Sequence, residues 1–178
     1  VSTDGGVSFI LYKELGDWFQ EHVSGYNNWE VTNSNQNGSI TPKTGSAMAF
    51  LNINNYSFPE SRLVSPALDL TGAVNPEVKF SYSQVNWVGN IDELKVLYKT
   101  SAAGTWIELA SYTAEAASWT DITLSLPSPS PDYYVAFEGK ANWSRGLTLD
   151  DVSVESSNLG VVFSEGFESI NNALNGHP

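Results

Sequence analysis

Short runs along the chain alternate apolar and polar side chains with a period of two, the mark of strands with one buried face. Val78, Phe80 and Tyr82 face one way, against Glu77, Lys79, Ser81 and Ser83. Leu94, Val96 and Tyr98 alternate with Glu93, Lys95 and Lys99, and Ile122, Leu124 and Leu126 with Asp121, Thr123 and Ser125. Tyr133, Val135 and Phe137 alternate with Tyr134, Ala136 and Glu138. Further strands are expected over residues 8–13, 29–32, 47–53, 67–70, 105–109 and 147–154. Clusters rich in Asn, Gly, Pro and Ser separate them, at 33–38, 54–57, 72–76, 103–104, 127–132 and 142–146, and such clusters form turns. About ten short strands with regular turns predict an all-β fold, an antiparallel β-sandwich or jelly roll. One helix is expected, over residues 14–23, although Gly16 weakens it.

The end of the chain reads differently. Residues 155–160 are polar and read as a linker. Val161-Val162-Phe163-Ser164-Glu165-Gly166-Phe167-Glu168 then makes a new strand-like run, before polar residues 171–178. It loosely echoes Ile10-Leu11-Tyr12-Lys13-Glu14-Leu15-Gly16-Asp17: in both, three apolar or aromatic residues precede a polar residue and then Glu. Two copies so far apart read as the starts of tandem modules; the other reading is coincidence between two short strands. The sandwich is therefore expected over residues 1–157, with 158–178 as a tail or the start of a following module.

Composition narrows the function. The 178 residues carry 8 Lys+Arg and 20 Asp+Glu, a net charge of −12. A chain of this length buries roughly 68–70% of its unfolded surface, enough for a core without staples. Only 16% of residues are charged, against about 25% in ordinary soluble domains. The surface is thus neutral and polar, which suits an extracellular setting. No basic cluster is present to neutralise phosphates, so no nucleic-acid partner is expected, nor adhesion to anionic membranes. No apolar run is long enough for a membrane span, so no membrane insertion is expected. The absence of Cys removes thiol catalysis, zinc–thiolate sites and disulfides. His22 and His177 are the only histidines, and neither a zinc-protease nor a nucleotide-binding motif occurs. Asp92-Glu93 reads as the start of a strand with Glu93 in solvent. Carboxylate pairs at glycosidase spacing arise by chance among so many acids, and no enzymatic activity is expected.

Two features carry candidate chemistry. Asp150 and Asp151 are adjacent carboxylates inside an apolar strand, between Leu149 and Val152. Burying one without compensation is costly. A hard cation such as Ca²⁺, with oxygen ligands at about 2.3–2.6 Å, removes that cost. Alternatively one Asp faces solvent while the other accepts backbone N–H groups at a bulge. The second feature is the set of 6 Trp. Trp87 and Trp143 lie in Asn-rich loop contexts and are the candidates for an exposed platform on which the C–H faces of a sugar would stack. The alternative for each is an amphipathic Trp capping the end of the sandwich. Trp29 reads as core, and Trp18 as a plug at one end.

The segments Ser46-Ala47-Met48-Ala49-Phe50, Leu63-Val64-Ser65-Pro66-Ala67-Leu68-Asp69-Leu70 and Asn75-Pro76-Glu77-Val78-Lys79-Phe80-Ser81-Tyr82 occur in an order that resembles a known family. Asp92-Glu93-Leu94-Lys95-Val96-Leu97-Tyr98, Gly104-Thr105-Trp106-Ile107-Glu108-Leu109, Trp119, Val135-Ala136-Phe137 and Leu149-Asp150-Asp151-Val152-Ser153-Val154 continue it. Together they resemble the cleaved-adhesin or choice-of-anchor J jelly rolls, relatives of the gingipain adhesin modules and more distantly of MAM domains. The opening Glu-x-Phe-Glu strand of that family is degenerate at 14–17 but well formed at 165–168. The resemblance implies a structural Ca²⁺ held by Glu14 with Asp150 and Asp151, and packing roles for Trp106 and Trp119. It implies a non-catalytic adhesion or binding module of a bacterial surface or secreted protein. Its partner would be a glycan or a host or matrix protein, or it would present neighbouring modules of the same chain. The alternatives are a carbohydrate-binding accessory module of a secreted hydrolase, and a ligand-free spacer.

Overall fold

A computed structural model describes residues 15, 17–52 and 58–168. The strand expected over 8–13 and the candidate ligand Glu14 lie outside the described residues. Strands β1 (Phe19–Ser24), β4 (Glu60–Val64), β9 (Tyr134–Lys140), β6 (Glu93–Lys99) and β7 (Ile107–Tyr112) form one sheet in the order β1-β4-β9-β6-β7. Strands β2 (Trp29–Thr32), β3 (Met48–Leu51), β10 (Leu147–Ser156), β5 (Glu77–Gln84) and β8 (Ala116–Ser125) form the other, in the order β2-β3-β10-β5-β8. Strand β11 (Gly160–Glu165) adds to it by pairing with β10. All pairings are antiparallel, giving the all-β sandwich of jelly-roll type that the alternation predicts.

The core lies between the sheets. Val78, Phe80 and Tyr82 meet Leu94, Val96 and Tyr98 and Tyr133, Val135 and Phe137 in one cluster. Phe80 and Phe137 pack edge to face at 5.0 Å between centroids, and Tyr98 stacks on Tyr133 at 5.7 Å. Trp29 is fully buried, and its Nε1–H donates to the Ser61 carbonyl at 3.2 Å. Each such ring contributes roughly 1.5–3 kcal/mol through burial. Trp18 closes one end, against Phe137, Phe163 and Phe167.

The spacing of apolar residues writes a bulge into β10. Leu147, Leu149, Val152 and Val154 all point to the core, yet the step from Leu149 to Val152 is one residue too long for a regular strand. In register, Asp150 pairs with Ser81 and Ser153 with Lys79, so β10 holds one extra residue at Asp150–Asp151. The extra residue keeps both halves of the strand facing inward, and Asp151 takes a left-handed backbone with φ 52°.

Three expectations are corrected. The helix over 14–23 does not form; residues 19–24 are β1, paired with β4. The Gln20 side chain explains the preference, since it donates to the Trp29 carbonyl at 3.1 Å and accepts the Trp29 N–H at 2.7 Å. Tertiary pairing of this kind overrides a weak helical propensity. Residues 67–70 supply only an isolated bridge, Leu68 to Tyr133. The polar stretch 155–160 is not a linker. Glu155 and Ser156 end β10, and a tight turn returns as β11. Asn158 pins that turn, accepting from Val74 N at 2.8 Å and donating to the Gly72 carbonyl at 3.0 Å.

Candidate functional site

The loops bearing Trp87 and Trp143 meet at one end of the sandwich. The first joins β5 to β6, the second β9 to β10. Arg145 N donates to the Val85 carbonyl at 3.0 Å, and Asn142 Nδ2 to that of Ile91 at 3.2 Å. The carboxylate of Asp92, 1% exposed, joins them from beneath. Its Oδ1 accepts Asn142 N at 2.6 Å and its Oδ2 the Ser144 hydroxyl at 2.5 Å. Burial pushes the Asp92 carboxyl above its usual range, against the Ser144 and Asn142 hydrogen bonds that pull it down. Asp92 is thus no simple strand start. It trades desolvation for a fixed geometry between two loops.

Above this clamp, Trp87 and Asn90 exchange two backbone hydrogen bonds of 3.0 Å around Val88 and Gly89. Both central residues have positive φ, 55° and 89°, the geometry of a primed hairpin turn. Glycine accepts it freely, but a β-branched Val there is strained. Val88 is 84% exposed at the tip. Trp87 is partly exposed, and the Arg145 guanidinium lies 5.1 Å over its ring, a cation–π arrangement. Trp143, half-buried, has φ 59° and sits two residues from Arg145. The structure thus brings both expected residues to one loop pair, with Asn86, Asn90 and Asn142 beside them. Such a surface offers ring faces and amides, and it can hold a hydroxyl-rich or peptide ligand.

Asp150 is fully buried. Its Oδ2 accepts Lys43 N at 2.8 Å and Thr44 N at 3.3 Å, and its Oδ1 accepts Asp151 N at 2.8 Å. Burial raises its pKa, and these backbone donors oppose the rise. Asp151 accepts the Thr44 hydroxyl at 2.5 Å. The pair therefore anchors residues 43–44 to the bulge in β10. Among the described residues no group of three His, Cys, Asp or Glu side chains converges to hold an ion. Glu14 lies outside them.

Two Trp do not sit where the resemblance places them. Trp106 and Trp119 are half-buried rather than core. Trp119 Nε1 donates to the Thr41 carbonyl at 2.9 Å. Trp106 lies on the outer face of the β1-β4-β9-β6-β7 sheet, where it helps cover Val64, Leu97 and Ala136. Its Nε1 donates to Glu21 at 3.1 Å, and Lys99 Nζ lies 4.6 Å above its ring. Cross-strand register explains the charged row beside it: Glu21 opposes Arg62, Arg62 opposes Glu138, and Glu138 opposes Lys95. This face was legible only as polar alternation, because register is a tertiary property. His22, without an evident partner in sequence, lies 2.8 Å from Asn28 Oδ1 through its Nε2.

The MAM domain family (meprin/A5/mu) matches residues 12–158. No curated protein matches the chain. Among solved structures, the K1 cleaved adhesin domain of Lys-gingipain from Porphyromonas gingivalis W83 is similar, with TM-score 0.63 and 18% identity over 80% of this chain and 92% of that one. The K3 domain of the same protein gives TM-score 0.57 and 20% identity over 79% and 92%. A carbohydrate-binding module, TmCBM61 in complex with β-1,4-galactotriose, gives TM-score 0.56 and 10% identity over 82% and 92%. At these identities the likenesses show a shared fold.

Proposed function

The chain belongs to the MAM domain family, and from that premise we propose that it is a non-catalytic, extracellular binding module of a bacterial surface or secreted protein. Its ligand site is the loop pair of Trp87 and Trp143. The observation that carries this reading is the Asp92 clamp, in which a buried carboxylate spends its hydrogen bonds on fixing two aromatic-bearing loops. Buried polar groups with such a cost mark places where geometry matters. The preferred ligand is a glycan, since a Trp ring, an Arg and three Asn amides match pyranose faces and hydroxyls. The same sandwich holds β-1,4-galactotriose in one of its structural neighbours. A host or matrix protein is the second class of partner. A screen of neutral glycans and matrix proteins, run with the wild type and with a Trp87→Ala/Trp143→Ala double variant of unchanged melting temperature, tests the reading. Binding lost in the variant supports it; ligands bound equally well by both place the site elsewhere.

Structural Ca²⁺ is a separate part of the proposal. Asp150 and Asp151 would supply carboxylate oxygens and Glu14 a third. The oxygen-rich donor set suits a hard cation. Asp150 is already balanced by three N–H donors, so its burial does not demand one, and the ion would rest mainly on Asp151 and Glu14. Its role would be to tie the start of the chain to β10. Melting of chelator-treated protein with Ca²⁺, and with Mg²⁺ as control, decides: a concentration-dependent rise with Ca²⁺ alone supports the site, and no rise removes it.

A further inference from the structure

Cations are scarce in this chain, and almost all are taken. It carries 8 Lys+Arg against 20 Asp+Glu. Lys43, Arg62, Lys79, Lys95 and Lys140 each pair with a carboxylate. Lys99 Nζ donates to the Ala102 carbonyl at 3.0 Å and lies over the rings of Trp106 and Tyr134, at 4.6 and 4.8 Å. Lys13 lies outside the described residues. Among the described residues, Arg145 alone has a cationic head group that meets neither a carboxylate nor a carbonyl; it lies over the Trp87 ring. In a chain so rich in acids, a guanidinium left without one calls for a reason.

Arg145 is also held in place. Its N–H donates to the Val85 carbonyl at 3.0 Å. The Ser144 hydroxyl before it donates to Asp92 and accepts the Gly146 N–H after it, at 3.1 Å. The backbone under the side chain is therefore fixed by the same clamp that joins the two loops. Stacking on Trp87 engages the positive centre of the guanidinium and spends none of its N–H donors. Glu115 is tied to the same loop, its Oε1 accepting the Asn86 N–H at 3.0 Å, and it forms no ion pair with Arg145. A half-buried guanidinium with unspent donors presents the planar fork that a carboxylate fits with two parallel hydrogen bonds.

We propose that the Trp87–Trp143 loop pair takes an acidic sugar, a pyranose whose carboxylate is held by the Arg145 guanidinium. The ring and hydroxyls of that sugar meet the tryptophans and the Asn86, Asn90 and Asn142 amides. This inference rests on the ligand site proposed above and adds its chemical class. A single guanidinium neutralises a single negative charge, which fits a carboxylate better than a doubly charged phosphate. Neutral sugars keep the ring and hydroxyl contacts and bind more weakly. The net charge of −12 repels an anion at long range, but salt screens that repulsion beyond about 8 Å at physiological ionic strength, so the contact at Arg145 decides.

Calorimetric titration of the full chain with matched sugars tests this. Trigalacturonic acid is compared with its carboxyl-reduced form, and sialyllactose with lactose, so that each pair isolates the carboxylate and the two pairs separate uronic from sialic acids. In at least one pair the acidic sugar should bind about tenfold tighter, the gain of one charge-assisted contact. Arg145→Gln should bring that pair level, and Arg145→Lys, which keeps the charge but not the fork, should restore part of the gap. Acidic and neutral sugars bound equally by the wild type, and both lost in Trp87→Ala/Trp143→Ala, would overturn the inference and leave the loop site standing. No binding of either acidic sugar would overturn it too, leaving the site to neutral ligands. An acidic preference that survives both Arg145→Gln and the double Trp variant would overturn the inference and the loop site together. Acetate that displaces the acidic sugar at the same concentration as free galacturonate would show an anion site without sugar recognition, and the inference would again fail.

Discussion

Replacing Asp150 tests whether backbone anchoring explains its burial. Its carboxylate takes three N–H groups, from Lys43, Thr44 and Asp151. Hydrogen bonds to a charged group contribute about 1.5–3 kcal/mol each. The desolvation that raises the Asp150 pKa offsets part of that sum. Asp150→Ala, which orphans all three donors, should cost about 3–5 kcal/mol, in the range for breaking a buried charged site. For a chain of this size that is a fall in Tm of roughly 6–20 °C. Asp150→Asn keeps one acceptor oxygen for Lys43 and Thr44 but turns an NH₂ toward Asp151 N, and should cost about 1–3 kcal/mol for one unmet donor. The assay is thermal and urea unfolding in chelator, so that no metal contributes. The expected order is wild type, Asn variant, Ala variant. An Asn variant that melts at or above the wild type would show that burial cost outweighs the anchoring, and the reasoning would fail.

Asp92→Asn should show a distinct pH dependence. The folded pKa of Asp92 is raised by burial, so between its unfolded value, about 3.9, and the folded one the native state binds the extra proton. Its contribution to stability then falls as pH rises through that window; melting the pair from pH 4 upward should find the variant gaining on the wild type, and a constant difference would contradict this. Gly146→Ala should destabilise by several kcal/mol, since φ is 89° and the new Cβ would meet the Phe50 ring at 2.1 Å; urea unfolding measures it. Trp106→Ala should cost less than Trp29→Ala, which removes a fully buried ring at about 3–5 kcal/mol; equal losses by urea unfolding would return Trp106 to the core.

Much of this fold was legible in the sequence because a two-residue period reports burial directly. Residues 29–32 were located as β2, and the inward residues of β5, β6 and β9 all lie in the core. Even the bulge is written in the step from Leu149 to Val152. What stayed hidden depends on partners remote in sequence. β4 is short and carries Arg62, whose charge is met by Glu138 at 2.7 Å and Glu21 at 3.4 Å on the strands to either side. β1 reads as a weak helix until Gln20 finds Trp29. Asp92 looks like a surface carboxylate until the loop carrying Asn142 and Ser144 folds over it. Trp87 and Trp143 were found from local context, because an Asn-rich setting predicts a loop; their juxtaposition was not, since no local signal joins segments on different hairpins.

The six tryptophans offer the most direct test of the binding claim, because each indole N–H gives its own resonance in a ¹⁵N-labelled sample. Titration with β-1,4-galactotriose, and with a small panel of other neutral oligosaccharides, should shift the Trp87 and Trp143 signals for at least one sugar. Trp18 and Trp29, both buried, should stay still. Shifts at Trp106 or Trp119 with Trp87 and Trp143 unmoved would contradict the account and move the ligand site to another face of the sandwich.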